Sequence, residues 1–345
     1  MSTMRYKLLG RSGLKVSELC LGAMTFGEDW GWGADKAVCR SILDYFRDKG
    51  GNFFDTANLY TGGASERLLG EFLREDRDAA VIATKYSNAI PGGRDPNKAG
   101  NQRKNMVQSL EASLKRLGTD RIDLYWVHAW DFFTDCEEVM RGLDDLVRQG
   151  KVLYIGISNA PAWVVARCNT LAELRGWSRF VGLQFEYSLI ERTAERELIP
   201  MARAFDLTAI AWSPLASGIL TGKYDVPRQP EQQRRLDKTS MHTPGIERQT
   251  EIVHAVADIA AEIGASPSQV ALAWLRARGV LPILGARTLA QIEDNLGCLD
   301  VRLSPDQMIL LDGVSHTPLG FPHEFLEKSR SVTHGGFTDR IDAPL

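Results

Sequence analysis

Val152-Leu153-Tyr154-Ile155-Gly156-Ile157 and Val181-Gly182-Leu183-Gln184-Phe185 are short runs, largely apolar, with no clean alternation between polar and apolar residues. A strand with one wet face alternates with a period of two, whereas a strand covered on both faces does not. These runs therefore read as strands of a parallel sheet under helices. Working outward, similar runs stand at 19–23, 52–55, 80–84, 122–127, 207–212 and 280–284, which gives eight strands in all. Helix-period stretches accompany them at 35–49, 65–74, 102–117, 135–148, 162–174, 193–205, 267–278 and 289–296. Ser65 before a charged first turn and Ser266 before Pro267 read as helix caps. Gly50-Gly51, Gly118 and Gly150 read as helix stops. Eight such units favour a closed (β/α)8 TIM barrel, an α/β fold, over an open doubly wound sheet. The open sheet needs a glycine fingerprint after its first strand. Gly31-Trp32-Gly33 lacks the third glycine and opens no strand–turn–helix unit.

Ahead of the barrel, residues 6–9 and 16–19 flank Gly10-Arg11-Ser12-Gly13 and read as an N-terminal β-hairpin. The chain of 345 residues is expected to be one barrel domain over 1–345, with hairpin and barrel over about 4–314 and a C-terminal extension over 315–345. A length prior of about 150 residues per domain would give two domains, but barrels routinely pass ~250 residues as one unit. Two segments break the rhythm. The stretch 220–246 is long and polar, the signature of a functional lid or a disordered loop. The tail, with Pro318, Phe321, Pro322 and Phe325, either wraps the barrel or frays.

The composition is that of a globular enzyme, 44% apolar and 25% charged, with 41 basic and 44 acidic residues for a net charge of −3. That balance gives no global pull toward nucleic acid or an anionic membrane. No apolar run reaches the ~18 residues of a spanning helix, and Met1 to Lys7 show no secretory signal, so neither membrane insertion nor export is expected. Five scattered cysteines without a CxxC suit a reducing, cytoplasmic setting. The six histidines show no HExxH and no cluster with the cysteines, so no metal is expected. Neither a GxSxG elbow nor a phosphate-binding GxxxxGK[ST] loop is present.

Barrel enzymes place their chemistry at the C-terminal ends of the strands. Asp55 ends the run Asn52-Phe53-Phe54-Asp55-Thr56-Ala57, and Tyr60 follows in the next loop. Lys85 ends Val81-Ile82-Ala83-Thr84-Lys85, and His128 ends Asp123-Leu124-Tyr125-Trp126-Val127-His128. Consecutive strands bring these ends to one rim. Taken singly, an Asp–Lys pair is more often a structural salt bridge, and a strand-end histidine is as often an ordinary hydrogen-bonding residue.

These blocks resemble the aldo-keto reductase superfamily, especially its branch of aryl-alcohol dehydrogenase-like proteins and potassium-channel β subunits. Residues 52–57, Tyr60 with Gly62-Gly63 and Ser65-Glu66, Thr84-Lys85 and residues 124–128 stand in that family's order. So do Ile157-Ser158-Asn159, Gln184-Phe185-Glu186-Tyr187, Ala211-Trp212-Ser213-Pro214-Leu215 and Gly285-Ala286-Arg287. The likeness runs from about residue 4 to residue 311. It implies that Asp55, Tyr60, Lys85 and His128 form a catalytic tetrad and that the cofactor is NADP(H). Reducing a carbonyl takes a hydride from the cofactor and a proton for the developing alkoxide. A phenol titrates near 10, so Tyr60 needs Lys85 to stabilise its phenolate, with Asp55 holding the ammonium and His128 donating to the carbonyl oxygen.

The resemblance also implies a cofactor path. Ser158, Asn159 and Gln184 hold the carboxamide side of the nicotinamide, and Trp212 stacks on its ring. Ser213, Pro214, Leu215, Gly218, Leu220 and Lys223 wrap the pyrophosphate. Gly285, Arg287, Gln291 and Asn295 take the adenosine 2′-phosphate at a helix start, which favours NADPH over NADH. Aromatic residues of the loops, Trp30, Trp32, Tyr86 and Trp130, are candidate walls for an aromatic or bulky carbonyl, with Phe132 and Phe133 beside them. The expected activity is reversible NADPH-dependent reduction of an aldehyde or ketone, a small-molecule substrate, with Tyr60 as proton donor. The sequence fixes no oligomeric state. The second reading is a redox-sensing partner protein of the channel β-subunit type with slow turnover. A Schiff-base aldolase built on Lys85 fits less well, because Asp55 and Tyr60 beside it suit a proton relay.

Overall fold

The computed structural model describes residues 3–89, 94–224 and 246–341. The hairpin pairs β1 (Tyr6–Leu8) with β2 (Lys15–Ser17), antiparallel. Eight parallel strands then close into a barrel: β3 (Cys20–Gly22), β4 (Phe53–Asp55), β5 (Val81–Tyr86), β6 (Ile122–Val127), β7 (Val152–Ser158), β8 (Phe180–Glu186), β9 (Thr208–Trp212) and β10 (Leu281–Leu284). The last strand pairs with the first, Ile283 opposite Cys20 and Leu284 opposite Leu21, so the sheet has no free edge. The helices are α1 (Lys36–Asp48), α2 (Ala64–Phe72), α3 (Arg103–Leu117), α4 (Cys136–Arg148), α5 (Ala162–Arg175), α6 (Leu198–Ala204), α7 (Ile246–Ile263), α8 (Pro267–Ala277), α9 (Leu289–Leu296) and α10 (Pro305–Val314). Two short helices, α11 (His323–Lys328) and α12 (Arg330–Thr333), follow in the tail.

The expected TIM barrel, with its hairpin and tail, is the observed fold, and local chemistry sets most boundaries. Asp35, Gln102 and Asp135 cap α1, α3 and α4 through side-chain acceptors, and Ser266 forms a capping box with Gln269 ahead of Pro267. Three expectations need correction. Ser65 is not a cap: Gly63 occupies that position, and the buried Ser65 hydroxyl donates to the Ala23 carbonyl at 2.6 Å. The single helix expected over 193–205 is a 3-10 turn at Thr193–Glu195 followed by the short α6, because Pro200 cannot donate within a continuous helix. α7 and α10 are absent from the helices expected above, although Ile252, Val253, Val256, Ile259 and Ala260 form a buried stripe at helical spacing and Ser304 forms a capping box with Gln307 ahead of Pro305. Most of the polar stretch 220–246 lies outside the described residues.

Two layers of core explain where polar residues emerge. Inside the barrel, Cys20, Phe53, Val81, Ala83, Leu124, Trp126, Ile210, Leu281 and Ile283 pack together, and the hairpin region adds Leu9 and Val16. Between strands and helices lies the larger outer core, with Phe54, Ile82, Tyr86, Tyr125 and Val127 among its members. Residues of β4 and β5, and those of β6 from Leu124 onward, thus alternate between the two, whereas the pairing of β7 with β8 shifts register at Ile155/Gly156. Gly156 and Gly182, in the strands whose lack of alternation points to the barrel, make room for the Trp126 indole. A Cβ on either would approach its ring to 2.3 and 2.8 Å.

Candidate active site

The alternation decides which side chains reach the mouth. Phe53 faces inward on β4, so Asp55 does too; Val81 and Ala83 face inward on β5, so Lys85 continues that stack; Leu124 and Trp126 carry the same parity to His128. Tyr86 has the opposite parity and is corrected here as a pocket wall. It is fully buried under the helices, stacked on Tyr125 with ring centroids 5.2 Å apart, and its hydroxyl donates to the Asn101 carbonyl.

Tyr60 comes from a different element. It opens a tight turn, Tyr60–Gly63, in which Thr61, Gly62 and Gly63 all have positive φ. The turn is held by hydrogen bonds from Thr61 Oγ1 to the Phe26 carbonyl, 2.7 Å, and from Ser65 N to Thr61 Oγ1, 3.0 Å. Behind it Glu66, fully buried, accepts from Thr84 Oγ1 at 2.6 Å and pairs with Arg116. Sequence reasoning quotes Ser65-Glu66 within a block but gives Glu66 no task. The structure gives it one, bracing the turn against β5 and α3.

The four candidate side chains converge. Lys85, with no exposed surface, donates to Asp55 Oδ1, to the Thr56 carbonyl at 2.9 Å and to Tyr60 Oη at 3.2 Å. Burial disfavours its charge, but Asp55 and the Tyr60 phenol outweigh burial, and the ammonium is held above its ordinary range. The His128 ring meets the Tyr60 ring edge-on at 5.9 Å. Burial, then the Lys85 charge, lowers the imidazole to about 3, so the ring is neutral near pH 7. Its Nδ1 is buried without a hydrogen-bond partner among the described residues. Such an orphaned polar atom at a barrel mouth suits an incoming ligand atom.

The residues expected along the cofactor path fall on the same rim. Gln184 Nε2 donates to Asp55 Oδ2 at 3.0 Å, and buried Ser158 accepts from Asn159 Nδ2 at 2.9 Å. Asn159, at φ 49°, also donates to the His128 carbonyl and accepts from Trp212 Nε1 at 3.0 Å, joining three strands. After Trp212 the backbone turns through positive φ at Ser213, Ala216, Ser217 and Gly218. The Lys223 ammonium folds onto Gly218, 2.3 Å from where a Cβ would stand, and Gly218 itself, at φ 91°, holds a backbone conformation that favours glycine. Pro214 and Leu215 belong to the same loop, and Leu220 is buried beneath it.

At β10 the turn Gly285–Arg287 leads into α9, capped by Thr288. Gln291 Oε1 accepts from Arg287 N at 2.8 Å, Asn295 Nδ2 donates to the Gly285 carbonyl at 3.3 Å, and Thr25 Oγ1 donates to the Ala286 carbonyl at 2.7 Å. Gln291 and Asn295 thus brace the turn that presents Arg287. The Thr25 contact carries no signal in a linear reading, because 261 residues separate the partners. Of the wall candidates, Trp30 lies edge-on to Tyr60 at 6.1 Å and against Trp32 at 5.6 Å. Trp130 is largely buried beside Asn159, while Phe132 and Phe133 are exposed.

A barrel with this constellation at its mouth can be compared with known proteins. The model of the aldo/keto reductase family matches residues 18–316. The chain belongs to the aldo/keto reductase family. Among its relatives, norsolorinic acid reductase stcV of Emericella nidulans is 38% identical over 329 residues, covering 92% of this chain and 83% of that one. An aryl-alcohol dehydrogenase [NADP(+)] of Phanerodontia chrysosporium is 39% identical, with 90% and 86% covered. The uncharacterized oxidoreductase YrpG of Bacillus subtilis is 37% identical, with 92% and 98% covered. This aldo/keto reductase is accordingly an oxidoreductase of a family acting on small molecules, and the likeness supports carbonyl reduction. Among the described residues no helix is long and apolar enough to cross a membrane.

Proposed function

We propose that this protein reduces an aromatic or bulky aldehyde or ketone, reversibly, with NADPH as reductant and Tyr60 as proton donor. The observation that carries the reading is the buried Lys85 ammonium, shared between Asp55 and the Tyr60 hydroxyl. A phenol 3.2 Å from a fixed ammonium gives up and regains its proton more readily, because its phenolate is stabilised there. Asp55 keeps the ammonium in place, and Gln184 keeps Asp55 in place. Neutral His128, flanking Tyr60, orients the carbonyl oxygen and donates to it as negative charge develops. Trp30 and Trp32 offer flat apolar faces beside Tyr60.

The residues present fit a nicotinamide dinucleotide phosphate. Trp212 and Asn159 sit beside His128 for the ring, the positive-φ loop and Lys223 suit a pyrophosphate, and Arg287 at a helix start suits a 2′-phosphate. When bound, that cofactor supplies the hydride. The NADP(+) in the name of the Phanerodontia chrysosporium relative agrees with this choice. Five free, buried cysteines suit a reducing compartment, the cytoplasm.

The test is a titration of the purified protein with NADPH and NADH by tryptophan fluorescence, followed by a carbonyl panel at about 340 nm. Tight NADPH binding with oxidation on aromatic carbonyls is expected. Replacing Arg287→Ala should weaken NADPH far more than NADH, and equal weakening would remove Arg287 from the phosphate. No binding of either nucleotide would defeat the reading.

A further inference from the structure

The tail beyond α10 is anchored to its own barrel at one end and uncovered along the rest. At its base Arg192 Nη1 donates to Ser315 Oγ at 2.7 Å, Arg196 Nη2 donates to the Pro318 carbonyl at 2.8 Å, and His323 Nε2 lies 3.0 Å from Glu197 Oε1. These contacts tie the tail to the connection between β8 and α6. Beyond them, no residue of α11 or α12 is buried. Phe321, Phe325, Leu326, Val332, Phe337 and Ile341 are each more than half exposed, and the Phe321 and Phe325 rings meet with centroids 6.3 Å apart. No other stretch of the described residues exposes so many large apolar side chains. An apolar surface of this kind on an anchored element is a contact surface that lacks its partner.

Area and charge identify that partner. At about 200 Å² for a whole phenylalanine, the three rings and the three aliphatic side chains together expose on the order of 700 Å². The largest apolar patch of a monomer is usually about 300–600 Å², whereas each side of a stable interface contributes about 600–1,000 Å². The charges are balanced: residues 315–341 hold Glu324, Glu327 and Asp339 against Lys328, Arg330 and Arg340. A surface made for an anionic membrane would be basic, and one made for a strongly charged partner would carry a single sign. Equal numbers of both signs around an apolar centre suit a surface that meets its own copy, because anions of one can face cations of the other.

We propose that a second copy of this chain covers the tail, the two tails packing on one another about a two-fold axis with Phe321 and Phe325 at the centre. A contact made by the same patch on both copies closes on itself, so the product is a dimer and not an open chain of molecules. Aromatic side chains at the middle of an interface carry most of its affinity, and the charged side chains form its rim. The anchor at Arg192, Arg196 and Glu197 fixes each tail before the copies meet, which lowers the ordering cost of association.

Light scattering and sedimentation of the full-length protein at about 50 µM, above the micromolar Kd of the weaker interfaces of this size, test this without reference to reductase activity. A mass twice the 38.3 kDa of the chain is expected. Phe321→Glu together with Phe325→Glu should weaken association by about 100-fold or more and leave a monomer with an unchanged far-ultraviolet circular dichroism spectrum. In an equal mixture of isotope-labelled and unlabelled wild-type protein, an amine cross-linker should join Lys328 of one copy to Lys328 of the other. A wild-type monomer at that concentration would overturn the proposal. So would a dimer that persists in the double variant, or one whose cross-links between copies all lie outside the tail. Cosedimentation of a wild-type monomer with phosphatidylcholine–phosphatidylserine vesicles would overturn it in favour of lipid.

Discussion

An ammonium with no exposed surface is costly unless its partners return what water supplied. Lys85 has three such partners, and one of them, the Tyr60 hydroxyl, is the proposed acid. Tyr60→Phe removes only the oxygen, so nucleotide binding should persist while kcat falls about 10²- to 10⁴-fold. Equal loss of both, measured by fluorescence titration and steady-state kinetics, would make Tyr60 a structural residue. Lys85→Met is a less clean test, because it strands Asp55 as an unpaired buried carboxylate and costs about 3–5 kcal/mol of stability. His128 supports a pH argument. Its imidazole titrates near 3 in the folded protein against about 6.5 when unfolded, so the unfolded chain binds the extra proton between those values. Stability conferred by the neutral ring is present above about pH 6.5 and lost as pH falls toward 3. Denaturant midpoints measured down this range should drop less steeply in His128→Asn than in wild type. The kcat/KM profile should likewise lack a limb near about 6.5. A limb there that His128→Asn abolishes would contradict the neutral imidazole.

The turn Tyr60–Gly63 and α2 show how an element is held for chemistry that occurs elsewhere. Thr61, Ser65 and Glu66 each bind a different part of the barrel: the Phe26 carbonyl, the Ala23 carbonyl, and Thr84 together with Arg116. Arg116→Met removes the cation from a fully buried carboxylate and should destabilise the fold by about 3–5 kcal/mol. Adding Glu66→Gln to that variant should recover part of the loss, as read from urea midpoints. No recovery would mean that Arg116 acts through packing alone. Elements of this kind were legible unevenly in the sequence. The starts of α1, α3, α4 and α8, with an Asp, Gln or Ser acceptor, could be placed to within a residue or two, because the cap is local chemistry, yet the same signal at Ser304 ahead of α10 went unread. α6 could not, because periodicity continues through Pro200 while hydrogen bonding does not. The Glu66–Arg116 pair spans 50 residues, and nothing in a linear pattern couples them.

At the scale of the whole molecule, the barrel is a stack of inward-facing layers, apolar below and polar at the mouth. Their place at the ends of consecutive strands made Asp55, Lys85 and His128 readable as one group, and the structure adds that each extends an inward row of apolar residues. Parity along the strand, carried one residue further, excludes Tyr86, which its aromatic character and place at a strand end leave among the wall candidates. Chain closure was readable only as a count of eight strands. Contacts such as Thr25 with Ala286 depend on the ring having closed. The layering also separates stability from chemistry. Leu9 and Val16, from the hairpin region, belong to the inner core with Phe53 and Leu124, and Gly10 N donates to Thr208 Oγ1 at the start of β9, the end remote from the mouth. Leu9→Ala should therefore cost about 2–5 kcal/mol through lost burial and the cavity left behind. It leaves Asp55, Tyr60, Lys85 and His128 untouched, so kcat/KM at a temperature where the variant is folded should stay within about twofold of wild type. Urea denaturation and steady-state kinetics on one preparation read both quantities. A large fall in kcat/KM with unchanged stability would mean that the hairpin reaches the site through the barrel, against the independence that the layers imply.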